Sequence, residues 1–159
     1  SFIGHNTGYS NTIGSSNVFI GDSTGFSNTI GNSNVMIGKN AGLSSNGNNN
    51  IFIGLNAGKN TLGDDNIAIG VFAGKSITTG NHNLIIGSSA GYSHTDQEYN
   101  VMLGTNAGFH LSAPYWAGSF NTFVGINSGY KISSGKENVF IGTNSGYWIE
   151  NGTGILLLG

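Results

Sequence analysis

The chain has 159 residues, only 8 % of them charged, with a formal net charge of −2, no arginine and no cysteine. A nucleic-acid partner would want a basic footprint, which is lacking, and the cysteine count excludes disulfide staples, thiol catalysis and thiolate metal sites. Glycine is abundant at 28 residues while proline occurs once, which excludes collagen. The 37 % of hydrophobic residues recur periodically, which argues against a disordered tract.

Taken from its start, the chain repeats itself. A glycine closes a short apolar run at Gly4, Gly21, Gly38, Gly54, Gly70, Gly87, Gly104, Gly125, Gly142 and Gly159, in steps of 17, 17, 16, 16, 17, 17, 21, 17 and 17 residues. The fullest copy is Asn34-Val-Met-Ile-Gly-Lys-Asn-Ala-Gly-Leu43, which returns at Asn50, Asn66, Asn100, Asn121 and Asn138. Self-similarity at such a period marks a solenoid. The expectation is an all-β chain, a parallel β-solenoid of about ten 16–17-residue coils forming a single domain over residues 1–159. Both ends fall inside a repeat, so the chain reads as a segment of a longer fibre, and targeting signals could lie outside it.

With each coil numbered from its asparagine as zero, the columns assign the elements. Positions +1 and +3 are aliphatic and mostly β-branched (Val35 and Ile37, Ile51 and Ile53, Ile67 and Ile69), the mark of a strand whose alternate side chains share a face. Position +2, on the opposite face, is apolar too. A wall wetted on one side would alternate apolar with polar, so the strand is expected to be covered twice, once by its own coil and once by a neighbouring chain. The +2 column, Phe2, Phe19, Met36, Phe52, Met102, Phe123 and Phe140, is assigned to the oligomer interface. The repeated asparagines Asn17, Asn34, Asn50, Asn66, Asn83, Asn100, Asn121 and Asn138 are expected to form an amide ladder between coils.

Position +4 is always glycine, +8 is glycine wherever the coil reaches it, and +7 is always small, as in Ala41, Ala57 and Ala73. Glycine at a fixed corner implies positive φ or a close backbone approach. A third glycine recurs at +13 or +14, and the residues before it, such as Asn11-Thr-Ile13 and Asn28-Thr-Ile30, read as a second short strand.

The pattern Asn-φ-φ-φ-Gly-x-Asn-Ala-Gly, with φ an apolar residue, resembles two related groups. They are the β-roll head of trimeric autotransporter adhesins and a set of bacterial and phage tail-fibre proteins. The resemblance covers nearly the whole chain through three glycine and two asparagine columns. It implies a homotrimer with three chains side by side, located extracellularly in a virion fibre or on a cell surface. The adhesin coil is shorter than the 16–17 residues found here, which favours the fibre group.

Chemistry is sparse. His5, His82, His94 and His110 sit in different columns without metal-ligand spacing and read as loop histidines on a polar surface. Asp64-Asp65 and Asp96-x-Glu98 are the only acidic groupings to weigh as a glycosidase pair, and solvated turns explain them better. Neither the calcium-binding Gly-Gly-x-Gly-x-Asp repeat nor a Gly-x-Ser-x-Gly elbow occurs. Ile37-Gly-Lys-Asn-Ala41 matches one rung of the hexapeptide acyltransferase repeat, which needs three per coil and here has one. Asn151-Gly-Thr153 is an acceptor sequon, of consequence in a glycosylating host.

The rhythm breaks once, between Gly104 and Gly125, where Pro114, Tyr115 and Trp116 lie in extra residues. Solenoid insertions bulge on one face, so these three are the candidate contacts for a glycan or receptor. No enzyme, cofactor or metal is expected, and no apolar run approaches the roughly 20 residues of a membrane span. The function that follows is a structural or adhesive fibre segment, a rigid rod for attachment. The alternatives are a monomeric glycan- or ice-binding solenoid, or a polysaccharide-degrading spike.

Overall fold

The computed structural model describes residues 1–112 and 115–159. The repeat becomes a solenoid with a short strand at positions +1 to +3 of every coil, three residues long except in the first. The strands are β1 (Phe2–Ile3), β2 (Val18–Ile20), β3 (Val35–Ile37), β4 (Ile51–Ile53), β5 (Ile67–Ile69), β6 (Leu84–Ile86), β7 (Val101–Leu103), β8 (Thr122–Val124), β9 (Ser134–Lys136), β10 (Val139–Ile141), β11 (Asn151–Thr153) and β12 (Leu156–Leu158). Ten of these form one parallel sheet, in the order β1-β2-β3-β4-β5-β6-β7-β8-β10-β12. Like pairs with like: Val18, Phe19 and Ile20 lie against Val35, Met36 and Ile37, and the register holds through the longer step between β7 and β8. The sequence period is thus converted directly into register, and nine turns separate the ten strands.

The interior is one large side chain wide. Phe19, Met36, Phe52, Ile85, Met102, Phe123 and Phe140, all at +2, are fully buried within the single chain, as are the small +7 residues Ala41, Ala57, Ala73, Ala90 and Ala107. This corrects the expectation that Phe19, Met36, Phe52, Met102, Phe123 and Phe140 face a neighbouring chain. Phe2 of the same column stacks on Phe19 with ring centroids 4.9 Å apart, and remains 45 % exposed. The cause is steric. A thin coil has room for a single column of bulky groups, and +7 and +8 supply the space opposite +2. At Gly58 (φ +52°) a Cβ would stand 2.5 Å from the Phe52 ring, and at Gly25 one would stand 2.7 Å from Phe19. Real Cβ atoms do not approach so closely, so the glycine column is the imprint of the interior rings.

The +4 glycine has a different cause. A Cβ on Gly54 (φ +131°) would meet the carbonyl oxygen of Gly70, one coil on, at 2.5 Å. The corner after each strand therefore stacks backbone on backbone, at a φ that L side chains rarely adopt.

The second strand is less regular than the repeat predicts. β9 and β11 pair with each other, centred on the third glycines Gly135 and Gly152. Residues 12–13 and 29–30 form bends instead: the amides of Thr12, Ile13 and Gly14 all converge on the Thr29 carbonyl of the next coil at 3.1–3.2 Å, where a ladder would give them separate partners.

Candidate interaction surface

The asparagine at position zero holds each coil to itself and to its neighbour. Asn50 shows both bonds: its Oδ1 accepts the Asn66 backbone N–H at 2.9 Å, and its Nδ2 donates to the Gly63 carbonyl at 2.9 Å. The first bond joins successive coils, and the second closes the coil across its width. Asn17, Asn34, Asn66, Asn121 and Asn138 repeat the cross-coil bond with Gly31, Gly47, Gly80, Gly135 and Gly152. Asn83 donates to the Gln97 carbonyl instead, and its Oδ1 takes the Asn100 amide. From Asn83 onward direct amide–amide bonds join in, such as Asn83 Nδ2 to Asn66 Oδ1 at 3.0 Å. The predicted ladder is present, made mostly of side-chain bonds to backbone. All eight asparagines are buried, where an unmet amide would be expensive.

A second polar ladder lies two residues earlier and was not anticipated. Asn32, Asn48, Asp64 and Asn81 each accept a backbone N–H of the preceding coil through Oδ1, at 2.6–3.0 Å, and Glu98 Oε1 accepts from Asn81 Nδ2 at 2.6 Å. The recurring acceptor at this position was the available signal. Asp65 likewise accepts from Asn49 Nδ2 and lies 3.7 Å from His82. These carboxylates serve as ladder acceptors, and Asp96 accepts from the Thr95 hydroxyl at 3.2 Å.

The histidines divide. His5, His82 and His110 are exposed. His5 Nδ1 lies 3.3 Å from Asp22, whose carboxyl is held below its usual range by His5 first, then by Ser23 and Lys39. His94 corrects the surface reading. It is fully buried in the column that Ile77 and Leu111 occupy in the adjacent coils, with no well-formed hydrogen bond at either ring nitrogen. Burial pushes its pKa down to about 4, against the weaker opposing pull of the Gln97 backbone and Asp96. Among the described residues, no group of three or more His, Asp or Glu could hold a metal ion.

At the inserted residues a 3₁₀ turn spans Tyr115–Gly118. Pro114 lies outside the described residues, as do the side chains of Tyr115 and Trp116, so the proposed glycan or receptor contacts are located only by this turn. Beside it, Ala117 and the strands β9 and β11 line an open depression of about 350 Å³. A stacked aromatic ridge runs along another flank, through Tyr92, Phe109, Tyr130 and Tyr147 with centroids 4.9–5.2 Å apart. Its ring faces cover one another, so it offers a sugar only edges and hydroxyls.

The outer side of the ten-stranded sheet is a partly exposed apolar surface. The side chains at +1 and +3 point away from the interior and are half-buried or exposed along its whole length. They are aliphatic on every coil except for Ser1 and Thr122. Two exposed columns flank them, one just before each ladder asparagine and one at +5. Among the described residues, no helix is long and apolar enough to cross a membrane. Comparison with family models, with curated proteins and with solved structures gave no match for this chain.

Proposed function

We propose that this chain is a structural and adhesive fibre segment that works as a homotrimer, with the outer side of the sheet as its self-association surface. The observation that carries the reading is the apolar outer wall. The interior is filled within one chain, yet the strand carries a second aliphatic face that the described residues leave only half-covered. Ten strands at about 4.8 Å spacing, and three residues across at about 3.3 Å each, give an aliphatic band of roughly 43 by 10 Å. That is on the order of 430 Å², the size of the largest apolar patches on monomers, which are often functional. The interface of this fibre is therefore the pair of columns +1 and +3.

The continuous ladders support a rod. Among the described residues successive coils are tied by backbone bonds, by buried asparagine from Asn17 to Asn138, and by the outer polar ladder from Asn32 to Glu98. An attachment rod would be extracellular, in a virion fibre or on a cell surface, and the inserted residues Pro114, Tyr115 and Trp116 would meet the host glycan or receptor. Sedimentation equilibrium tests the assembly. The expected result is three times the 16.4 kDa chain mass. A species that stays monomeric at high micromolar concentration overturns the reading.

A further inference from the structure

We infer that the +10 and +12 columns of the last three coils form a binding site for an acidic saccharide, a sugar bearing a carboxylate. Lys131 lies at its centre. This inference rests on the fibre reading above and deepens it, because it names the class of ligand and the residues that hold it.

The first observation is a break in the repeat that the fold does not require. Positions +10 and +12 flank the inward +11 side chain and are themselves partly or fully exposed. Through the first six coils +10 is Ser10, Ser27, Ser44, Asn60, Ser76 and Ser93, and neither column carries a charge. From the coil of the insertion onward, +10 becomes His110, Lys131 and Trp148, while +12 becomes Ser112, Ser133 and Glu150. The coil itself does not change. Leu111 and Ile132 fill the interior. The Lys131 amide donates to the Tyr147 carbonyl at 3.1 Å, as the Ser27 amide does to the Leu43 carbonyl at 2.8 Å. Serine meets every structural demand at +10, so the larger groups answer to something outside the coil.

The second observation is what the replacements build. His110, Ser112, Lys131, Ser133 and Glu150 line an open cleft of about 280 Å³. Ligand sites run from about 300 to 1,000 Å³, so this one suits one or two sugar rings. Among the described residues neither Lys131 nor Glu150 has an ion-pair partner, whereas Lys39 and Lys136 each have one. Lys131 is held instead by the Trp148 ring, its Nζ 4.2 Å from the centroid. That contact orients the ammonium and leaves its charge unneutralised. Trp148 is 75 % exposed.

This set of groups is complementary to a sugar acid. The ammonium offers charge-assisted donors to a carboxylate. Ser133 Oγ donates to the Glu150 carbonyl at 3.3 Å and keeps its lone pairs for a ligand hydroxyl. The Glu150 carboxylate accepts from further hydroxyls, and the exposed indole offers an apolar surface to ring C–H groups. A protein partner would want a larger patch with an apolar centre.

Titration of the intact chain with sialyllactose and with digalacturonic acid tests this, with lactose as the neutral probe. The two tryptophan indole N–H signals in an NMR spectrum report where binding occurs, and Trp148→Phe assigns them. At least one acid should shift the Trp148 signal saturably, and lactose should not; which acid does so identifies the source of the carboxylate. Lys131→Met should weaken binding about tenfold or more, as expected for loss of a charged donor, while Lys59→Met leaves it unchanged. The contrast of acid with lactose on the parent chain needs no variant, so it holds even if one fails to fold. Equal binding of lactose, an acid that moves only the Trp116 signal, no shift with either acid, or full affinity in Lys131→Met overturns the site. With a trimeric mass, each of those results leaves the fibre reading standing. A monomeric mass with saturable binding at Trp148 does the reverse, overturning the fibre and keeping the site.

Discussion

The two sides of the same three-residue strand make the sharpest contrast in this molecule. Phe52 and Ile53 are neighbours in β4, both large and apolar, and they live in different environments. Phe52 is sealed inside its coil against Gly58, whereas Ile53 stands half-covered on the outer wall. Hydrophobicity alone does not tell them apart. What does is the partner across the coil, because only the +2 side has small residues and glycine opposite it. The inner side holds the fold together, and the outer side is the one proposed to govern association of folded chains.

Truncating the inner side should break the fold most severely. Phe52→Ala removes a ring from an interior one side chain wide, where collapse is restrained by the ladders above and below. A loss of about 3–5 kcal/mol is expected, read by chemical denaturation of the variant against the parent. A loss below about 1 kcal/mol would mean that the interior is looser than the buried column implies.

The inner side also carries a titrating group. His94 is neutral in the folded chain, with a pKa of about 4 against 6.5 for the free side chain. Its folded pKa is depressed, so its contribution is complete above pH 6.5 and is lost as pH falls towards 4, where the unfolded chain binds the proton and the folded chain resists it. The shift corresponds to roughly 3 kcal/mol. Denaturation midpoints measured from pH 7 to pH 4 should fall for the parent and flatten over this window in His94→Leu. Parallel curves would show that His94 does not set the acid limit.

Much of this was legible in the sequence, for identifiable reasons. Register, strand positions and the asparagine ladder followed from the period, because stacked coils bring equivalent residues together whatever the coil's cross-section. Which strand face turned inward did not follow from alternation, which is symmetric between the two. The answer lay in Gly58 and Ala57, six and five residues after Phe52, whose smallness complements one bulky column. His94 was misread because its column begins with polar residues, Asn28, Ser45 and Thr61, and becomes apolar at Ile77, Leu111 and Ile132. A histidine between those two sets gives no sign of its side. The outer polar ladder was missed because Asn48, Asp64 and Glu98 share an acceptor oxygen and not a residue type.

The asparagine between the two faces gives the next effect down. Asn66→Ala removes the acceptor for the Asn83 amide and the donor to the Gly80 carbonyl, both buried. Leaving these groups unpaired should cost about 2–4 kcal/mol, less than the interior ring because water can reach an opened coil corner. Amide hydrogen exchange localises the damage: protection should fall at Asn83 and its neighbours in β6 while β2 and β3 keep theirs. Uniform loss along the rod would mean that the coils unfold as one unit, not as nearest-neighbour steps.

The smallest effect on a single chain belongs to the outer side, and it separates the two roles of the strand. Ile51→Thr with Ile53→Thr keeps β-branched residues in β4, so strand geometry is retained, and neither side chain reaches the interior. The isolated chain should lose less than about 1 kcal/mol, within the range of ordinary surface changes. Association should suffer far more, because two aliphatic groups at the centre of the proposed interface are replaced by hydroxyls that meet an apolar wall. Stability that depends on assembly varies with protein concentration. The parent melting temperature should therefore rise with concentration, while that of the double variant should stay nearly flat. If both rise alike, association runs through some other surface and the outer wall is dispensable. If neither rises, the chain is monomeric, and its second apolar face has no role in assembly.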